Sequence, residues 1–256
     1  MEAKSLDYQP IDEVVQPNGL RIVLLRGYPS PWGQAAKAMI EYKDLSYTKG
    51  VLQTASNNPE VVAWSGVNSA PVVAWNDEPP LNRWNDILML LERLVPERSL
   101  IPEATEDQIR LYGIAHAICG EMGFGWNRRL HLMHWGVKQG GSPGVIGEKY
   151  GYNTRDAELA DARSIKFMQY LASVLRAQAD LGSEYIVGDS VTAVDFYWAA
   201  FSNLAAIQPP EICPLDSSIR PMFENTSPEV TAAIDPILLV HRNRIMENYF
   251  RLPMEL

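Results

Sequence analysis

Residues 20–43 read LRIVLLRGYPSPWGQAAKAMIEYK and join two kinds of hydrophobic pattern. Leu20–Leu25 form a short apolar run with β-branched residues, which is typical of a buried strand. A glycine and two prolines follow and indicate a turn. From Trp32 onward, apolar residues recur every three or four positions, which predicts an amphipathic helix from near Pro31 to about Lys43. This segment is therefore predicted to form a strand, a tight turn and a helix.

The alternation of strands and helices continues to about residue 95. Further strands are predicted near residues 46–52 and 70–75, with a loop around residues 57–59 leading from one to the other. A strong helical stripe over residues 87–94 ends before Pro96. The N-terminal part of the chain is therefore predicted to be an α/β domain.

Beyond Glu103 the chain shows helical periodicity and almost no strand signal. Long periodic segments cover residues 106–134 and 156–181, and a glycine-rich loop at residues 140–144 lies between them. The change in pattern predicts an N-terminal domain over residues 18–97 and an all-helical domain with an extended C-terminal tail over residues 104–256.

Composition narrows the classes of function. The 256 residues contain 22 Lys and Arg against 31 Asp and Glu, and this net charge of −9 disfavours binding to nucleic acid or to anionic lipid. Cys119 and Cys213 are too far apart to indicate a disulfide framework or a zinc ribbon. The start of the chain lacks the apolar stretch of a secretory signal, and no run approaches the ~18 apolar residues of a membrane span. We expect a cytoplasmic protein without a nucleic-acid or membrane partner.

Three short motifs occur along the chain. They are Ser30-Pro31-Trp32 after the first strand, the APVV segment at residues 70–73, and the GDSVTAVD segment at residues 188–195. Together they resemble signatures of the glutathione transferase superfamily, over most of residues 20–205. The resemblance implies a thioredoxin-like N-terminal domain followed by an all-α C-terminal domain. It also implies a homodimer, in which the N-terminal domain of one subunit contacts the helical domain of the other.

Two of these motifs are expected to have a structural role. The resemblance implies a cis peptide bond before Pro71, which turns the backbone of Ala70 outward to pair with a peptide-like ligand. The alternative is an ordinary trans proline at the start of a strand. Thr192 and Asp195 fit a capping box, which satisfies backbone N–H groups at the start of a helix. We interpret Asp195 as a folding residue and not as a catalytic one.

Ser30 lies where family members place the serine, cysteine or tyrosine that meets the sulfur of glutathione. The resemblance therefore implies a catalytic role for Ser30, with Trp32 beside it in the glutathione site. A serine hydroxyl that donates a hydrogen bond to the sulfur favours the thiolate, and the positive end of the helix dipole adds to this effect. The alternative is that Ser30 only caps the helix, and both roles can hold together.

The start of the second long helix departs from the family pattern. Most members carry an acidic residue followed by serine there, whereas this chain has Arg83 and Trp84 at the matching positions. Arg83 can pair with a carboxylate of glutathione, and Asp86 can take its ammonium group, which gives a rearranged binding site. The bulky Trp84 is also able to close the pocket. The alternative is a solvated helix face with Trp84 packed at the domain interface.

Residues 120–136 are rich in aromatic and basic side chains, and in the family this region lines the pocket for the electrophilic substrate. We assign Trp126, Arg129 and His131 to such a pocket because aromatic faces and cations suit a flat, partly anionic or phenolic molecule. The alternative is a core stripe with charged residues facing water. His131 and His134 lack a third ligand nearby in the sequence, so no metal is predicted.

The resemblance thus implies an enzyme that activates glutathione, its co-substrate, for attack on an apolar or aromatic electrophile. Conjugation, ether cleavage and isomerisation all use the same thiolate. Two alternatives stay open: a non-catalytic binding or scaffold protein on the same fold, and an enzyme that does not use glutathione. For the C-terminal tail, residues 241–256 are expected either to cover the cleft as a lid or to pack on the helical domain.

Overall fold

The protein is described by a computed structural model that covers residues 8–54 and 56–256. Within these residues, the strands are β1 Leu20–Leu25, β2 Tyr47–Leu52 and β3 Val72–Trp75. Its helices are α1 Ile11–Val14, α2 Pro31–Tyr42, α3 Pro59–Ser65, α4 Trp84–Leu94, α5 Thr105–Cys119, α6 Phe124–Lys138, α7 Gly144–Lys149, α8 Thr154–Asp180, α9 Ala193–Phe201, α10 Arg220–Glu224, α11 Pro228–Ala232 and α12 Pro236–Tyr249, with short 3-10 turns at Pro96–Arg98 and Ser202–Leu204.

The strands form one sheet in the order β2-β1-β3. β1 is parallel to β2, with α2 as the crossover, and antiparallel to β3. Leu81 adds an isolated antiparallel bridge to Val73 at the β3 edge, through backbone hydrogen bonds of 2.7 and 2.8 Å. The predicted strand, turn and helix at residues 20–43 and the α/β character of the N-terminal domain are confirmed.

The loop predicted around residues 57–59 ends at Asn58, and Pro59 begins a helix, α3, that was not predicted. Asn58 has φ 43° and immediately precedes α3, whose first residue is Pro59. The Asn58 side chain holds the preceding loop, since its Oδ1 accepts from the Gln53 N–H at 2.9 Å and its Nδ2 donates to the Gln53 carbonyl at 2.9 Å. At seven residues, α3 is too short to show a clear hydrophobic period.

The periodic segment at residues 106–134 is two helices, α5 and α6, with a break between them. Gly120 and Gly123 lie in this break with extended backbone. A Cβ atom at Gly120 would lie 2.5 Å from the His116 ring, and one at Gly123 would lie 2.7 Å from the Ala117 carbonyl oxygen. The chain therefore needs glycine at both positions to turn sharply. The second predicted segment, residues 156–181, is the single long helix α8.

The helix α9 is the centre of the hydrophobic core. All nine of its residues are buried, and the core cluster that contains Trp198 extends without interruption to Ile22 of β1 and Leu88 of α4. The Trp198 indole N–H donates to the Leu238 carbonyl at 3.1 Å. The two halves of the chain therefore share one core. The domain limits of 18–97 and 104–256 stay a prediction.

The capping box predicted at the start of α9 is confirmed. The Asp195 carboxylate accepts from the Thr192 N–H at 2.8 Å and from the Ile186 N–H at 2.9 Å. His241, on α12, also places its Nε2 atom 2.8 Å from Asp195. Local sequence gave no sign of this contact, because the two residues are 46 positions apart.

The C-terminal tail after α12 packs on the helical domain and continues onto the N-terminal domain. Phe250 stacks on Phe196 with ring centroids 5.7 Å apart, and the Met254 N–H donates to the Ile212 carbonyl at 2.7 Å. Glu255 then reaches α2, where it accepts from Lys37 at 2.8 Å. Of the two alternatives for the tail, the structure shows packing on the helical domain, together with a contact to α2 that was not predicted. Over the described residues, no helix has the length and apolar character required to span a bilayer.

Candidate functional site

The sheet topology brings three segments to the same end of the N-terminal domain. Val23 pairs with Val72, so the end of β1 lies beside the start of β3. The antiparallel bridge between Val73 and Leu81 directs the chain back toward the start of β3 before α4 begins. The loop before α2, the residues before β3 and the start of α4 therefore form one edge. Three of the predicted site segments, at Ser30, Ala70-Pro71 and Arg83-Trp84, lie along it.

Ser30 is nearly buried at the N-terminus of α2. Its backbone is extended, its N–H donates to the Tyr28 carbonyl at 2.8 Å, and its own carbonyl accepts from the Gln34 N–H at 2.9 Å. The hydroxyl makes no capping hydrogen bond to the helix. The backbone of Ser30 thus starts the helix, while the side chain stays available next to the positive end of the helix dipole.

The peptide bond between Ala70 and Pro71 is cis, as the sequence analysis predicted. Pro71 is buried and Ala70 is half-buried. Among the described residues, the backbone of Ala70 forms no hydrogen bond. Its N–H and carbonyl groups are therefore free to pair with an extended ligand at this edge.

The start of α4 presents a free cation and a packed tryptophan. Arg83 precedes the helix, is exposed, and has neither an ion pair nor a hydrogen bond within the described chain. The Trp84 ring meets Tyr197 of α9 edge to face at 5.6 Å, and the Tyr197 hydroxyl donates to the Trp84 carbonyl at 3.3 Å. Asp86 is half-buried and accepts from the Asn85 amide at 3.0 Å. Trp84 therefore packs at the interface between the two halves, whereas Arg83 stays unpaired.

Trp32 also packs between the two halves of the chain. Its indole N–H donates to the Cys119 carbonyl at 3.0 Å, and its ring meets Phe201 of α9 edge to face at 4.7 Å. Gly125 makes this approach possible, because a Cβ atom there would lie 2.4 Å from the Phe201 ring. The indole N–H of Trp32 is thus used within the protein, and only its ring is left to shape the site.

An aromatic row continues from Trp32 into the helical half. Tyr150, directly after α7, has its ring centroid 6.5 Å from that of Trp32 and 4.9 Å from that of Trp126 on α6. All three rings are partly exposed. We call Trp32, Tyr150 and Trp126 the aromatic row. It joins the start of α2 to the predicted substrate pocket.

Of the three residues assigned to the substrate pocket, His131 contacts a neighbouring helix. His131 faces α8, where its Nδ1 lies 2.9 Å from Asp161, and Arg128 donates to the same carboxylate oxygen at 3.0 Å. Burial raises the pKa of Asp161, but hydrogen bonds from His131 and Ser227 and the nearby positive charges outweigh burial and lower it. His131 is therefore part of a helix-to-helix ion cluster. Arg129, half-buried on α6, has no ion pair or hydrogen bond within the described residues.

Solved structures offer a direct comparison with this geometry. The chain is similar to a glutathione S-transferase from Methylobacillus flagellatus KT with glutathione bound, at 12% identity over 93% of this chain and 100% of that one, with a TM-score of 0.64. The chain has the glutathione transferase fold. Two further similar structures are transferases from Xanthobacter autotrophicus (13% identity, 93% and 98% covered, TM-score 0.59) and from Methylobacterium radiotolerans, in complex with glutathione sulfonate (14%, 91% and 93%, 0.58). No family model and no curated protein matches the sequence.

On this glutathione transferase fold, one cation near the edge escaped the sequence analysis. Lys149 ends α7 and donates to the Ser69 hydroxyl at 2.7 Å, directly before Ala70. Its Nζ lies 5.8 Å from the centre of the Tyr150 ring. Burial, together with the charge of Arg129, lowers the pKa of Lys149. No local pattern marks this residue, because the six-residue α7 follows a glycine-rich loop and shows no recognisable period.

The segment around α7, between α6 and α8, lines a separate cavity of about 250 Å³, to which Pro143, Glu148 and Tyr152 contribute. None of the predicted site residues contributes to this lining. The candidate site is thus the edge formed by Ser30, Ala70-Pro71 and Arg83, with the aromatic row beside it.

Proposed function

We propose that the protein binds glutathione and uses Ser30 to stabilise its thiolate for attack on an apolar or aromatic electrophile. The observation that carries this proposal is the hydroxyl of Ser30, which is nearly buried at the N-terminus of α2 and is not used to cap that helix. Two of the similar structures described above contain glutathione or its sulfonate analogue. Because their sequence identity is low, the residues of this chain have to support the proposal themselves.

The proposed glutathione site uses the unpaired groups of Ala70 and Arg83, together with the carboxylate of Asp86, which already accepts from the Asn85 amide at 3.0 Å. Ala70 offers a free backbone N–H and carbonyl to the peptide part of glutathione, beside Pro71. Arg83 offers an unpaired guanidinium to a carboxylate, and its planar N–H groups suit a two-point contact. Asp86 supplies a half-buried carboxylate for the ammonium group. Trp84 and Trp32 form the walls of this site, because both rings pack at the interface between the two halves of the chain.

Ser30 is proposed to act on the sulfur without forming a covalent bond to it. Its hydroxyl donates a hydrogen bond to the sulfur, and the N-terminus of α2 adds positive potential, so the thiol loses its proton at a lower pH. The sulfur lone pair then forms a bond to the electrophilic carbon of the substrate, and the displaced electron pair leaves with the departing group or shifts within the substrate. In conjugation the adduct is the product, and in ether cleavage the oxygen of the ether leaves with the electron pair of the broken C–O bond. Isomerisation needs one further step, in which the new C–S bond breaks and its electron pair returns to the sulfur.

Isothermal titration with reduced glutathione tests the proposal directly. The wild-type protein is expected to bind glutathione, and Arg83→Ala is expected to weaken the binding because it removes the proposed carboxylate partner. Arg155→Ala is a matched control, since Arg155 is an exposed arginine on α8. Ser30→Ala is expected to bind glutathione nearly as well as wild type. Absence of binding by the folded wild-type protein contradicts the proposal and favours a scaffold protein or an enzyme that does not use glutathione.

We further propose a cytoplasmic homodimer. Two large apolar side chains support the dimer: Met89 on α4 is 52% exposed and Ile109 on α5 is 69% exposed. They lie on the N-terminal and helical parts respectively, as expected for a contact between unlike domains. Light scattering after gel filtration measures the mass in solution, and Met89→Glu with Ile109→Glu should convert a dimer to a monomer. A monomeric wild-type protein contradicts this part of the proposal.

A further inference from the structure

Two cations next to the aromatic row have no acidic partner. Arg129 on α6 and Lys149 at the end of α7 form no ion pair within the described residues. By contrast, the buried Arg128 pairs with Asp161 at 3.0 Å, and the buried Lys43 pairs with Glu92 at 2.9 Å. The buried Arg21 and Arg242 lack an ion pair within the described residues but donate to backbone carbonyls, whereas Arg129 has no hydrogen-bond partner there either.

Arg129 lies three residues after Trp126 on α6, and Lys149 lies beside the ring of Tyr150, whose centroid is 4.9 Å from that of Trp126. The same two rings therefore bring both cations to one side of the helical domain, and two cations without a counter-ion favour an anion there.

The surroundings of these cations indicate where such an anion would lie. Lys149 contacts Ser69, which immediately precedes Ala70 and the proposed glutathione site. Its ammonium group also lies beside the ring of Tyr150, and Tyr150 contacts Trp126. The cations are therefore next to partly exposed aromatic rings, on the side of the helical domain that adjoins the glutathione edge.

We propose that Arg129 and Lys149 bind an anionic group of the electrophilic substrate, whose aromatic body lies against Tyr150 and Trp126. This inference rests on the proposed function and specifies its substrate class as aromatic acids, with a carboxylate or a similar anion. A guanidinium gives a planar two-point contact to a carboxylate, and an ammonium adds a point charge. The aromatic faces contribute apolar area for the ring of the substrate.

Glutathione also carries carboxylates, so the test has to separate two sources of the same chemistry. S-benzylglutathione and S-(4-carboxybenzyl)glutathione differ only in one carboxylate on the ring. Isothermal titration with both conjugates and with glutathione itself measures the effect of that group. The wild-type protein is expected to bind the carboxylated conjugate at least about tenfold more tightly than S-benzylglutathione, the gain expected of a charged hydrogen-bonded contact.

Variants then assign the effect to the two cations. Arg129→Met, Lys149→Met and their combination are expected to reduce the preference for the carboxylated conjugate, to less than about threefold in the combination. The preference is the ratio of the two affinities, so a loss of affinity common to both conjugates does not change it. Lys166→Met is the matched control, because Lys166 is an exposed lysine on α8. It is expected to keep the full preference.

The possible results have distinct meanings. Equal binding of the two conjugates by wild type overturns the inference and leaves the proposed function standing, and this comparison does not depend on the folding of any variant. An equal loss of affinity for glutathione and for both conjugates in the double variant also overturns it, because the cations would then hold a carboxylate of glutathione. If none of the three compounds binds wild type, the proposed function fails and this inference fails with it.

Discussion

Glu255 forms an ion pair with Lys37 at 2.8 Å, although 218 positions separate the two residues in the chain. Lys49 of β2 contacts the same carboxylate. Both lysine side chains are almost fully buried, at 5% and 1% exposure, whereas Glu255 is 40% exposed. The end of the C-terminal tail therefore places one carboxylate against two buried ammonium groups of the N-terminal domain, and this contact fastens the tail.

The first prediction concerns the removal of this shared counter-ion. Glu255→Gln leaves two buried ammonium groups without a carboxylate, which is a costly change. We expect the free energy of unfolding to fall by about 2–4 kcal/mol, below the highest values for buried pairs because Glu255 is partly exposed. Urea denaturation measures the change. Glu247→Gln, at an exposed position of α12, is the control and should have little effect. Equal stability of the two variants would contradict the prediction.

The second prediction concerns the loss of the stabilising effect of Glu255 at acid pH. Burial raises the pKa of Glu255, but hydrogen bonds from Lys37 and Lys49 and their charges outweigh burial and lower it. A pKa that is lower in the folded state adds stability above the unfolded value of about 4.3, and this stability is lost as the pH falls through the folded pKa. The stability difference between wild type and Glu255→Gln should therefore shrink below about pH 4. Urea denaturation at a series of pH values checks it, and a constant difference down to pH 3 argues against it.

The third prediction concerns Asp195. This carboxylate is fully buried and accepts hydrogen bonds from Thr192 and Ile186, with His241 alongside. Asp195→Ala orphans all of these groups, so we expect a loss of about 3–5 kcal/mol in the free energy of unfolding. Asp189 lies in the same motif but is exposed, so Asp189→Ala should change stability by less than about 0.5 kcal/mol. Similar losses in the two variants would show that the motif, and not the buried carboxylate, limits stability.

The fourth prediction concerns the chemistry of Ser30. If its hydroxyl stabilises the thiolate, Ser30→Ala should raise the pKa of bound glutathione and lower kcat/KM by about 10–100-fold near neutral pH, with a small change in affinity. Ultraviolet absorbance of the bound thiolate across a pH series, together with the rate with 1-chloro-2,4-dinitrobenzene, measures both effects. Ser30→Thr keeps a hydroxyl and should recover part of the rate. An unchanged thiolate pKa in Ser30→Ala would assign Ser30 to helix initiation alone.

The extent to which sequence predicts this fold depends on how local each feature is. The strand, turn and helix at residues 20–43 follow from hydrophobic periods contained in the segment itself, and the capping box at Thr192 spans only four residues. The contacts of Glu255 with Lys37 and of His241 with Asp195 join distant parts of the chain, so no local pattern marks them. They had to be observed.

The candidate site shows the same division. The positions of Ser30 and Pro71 could be predicted from the sequence because each residue belongs to a short motif next to a strand. Helical spacing alone did not show that His131 turns toward Asp161 and away from Arg129, since the neighbour of a helix face is set by tertiary packing. Lys149 was missed because α7, with six residues, is too short for a periodic signal.

The fifth prediction concerns the close approach of the two halves at Gly125. A Cβ atom there would lie 2.4 Å from the Phe201 ring and 3.1 Å from the Trp32 ring, and both rings are held by their neighbours in the core. Gly125→Ala should therefore lower the free energy of unfolding by about 1–3 kcal/mol through overpacking. Gly113 is also inside a helix, but a Cβ atom there would meet nothing within 4 Å. Gly113→Ala should accordingly raise stability by up to about 1 kcal/mol, because alanine favours the helix. Urea denaturation of both variants checks the pair.

The same two substitutions should differ in their effect on ligand binding. Since Trp32 lies two residues after Ser30, Gly125→Ala should weaken glutathione binding, whereas Gly113→Ala should leave it unchanged. Equal effects of the two substitutions on stability and on binding would mean that the Trp32 contact does not position the start of α2.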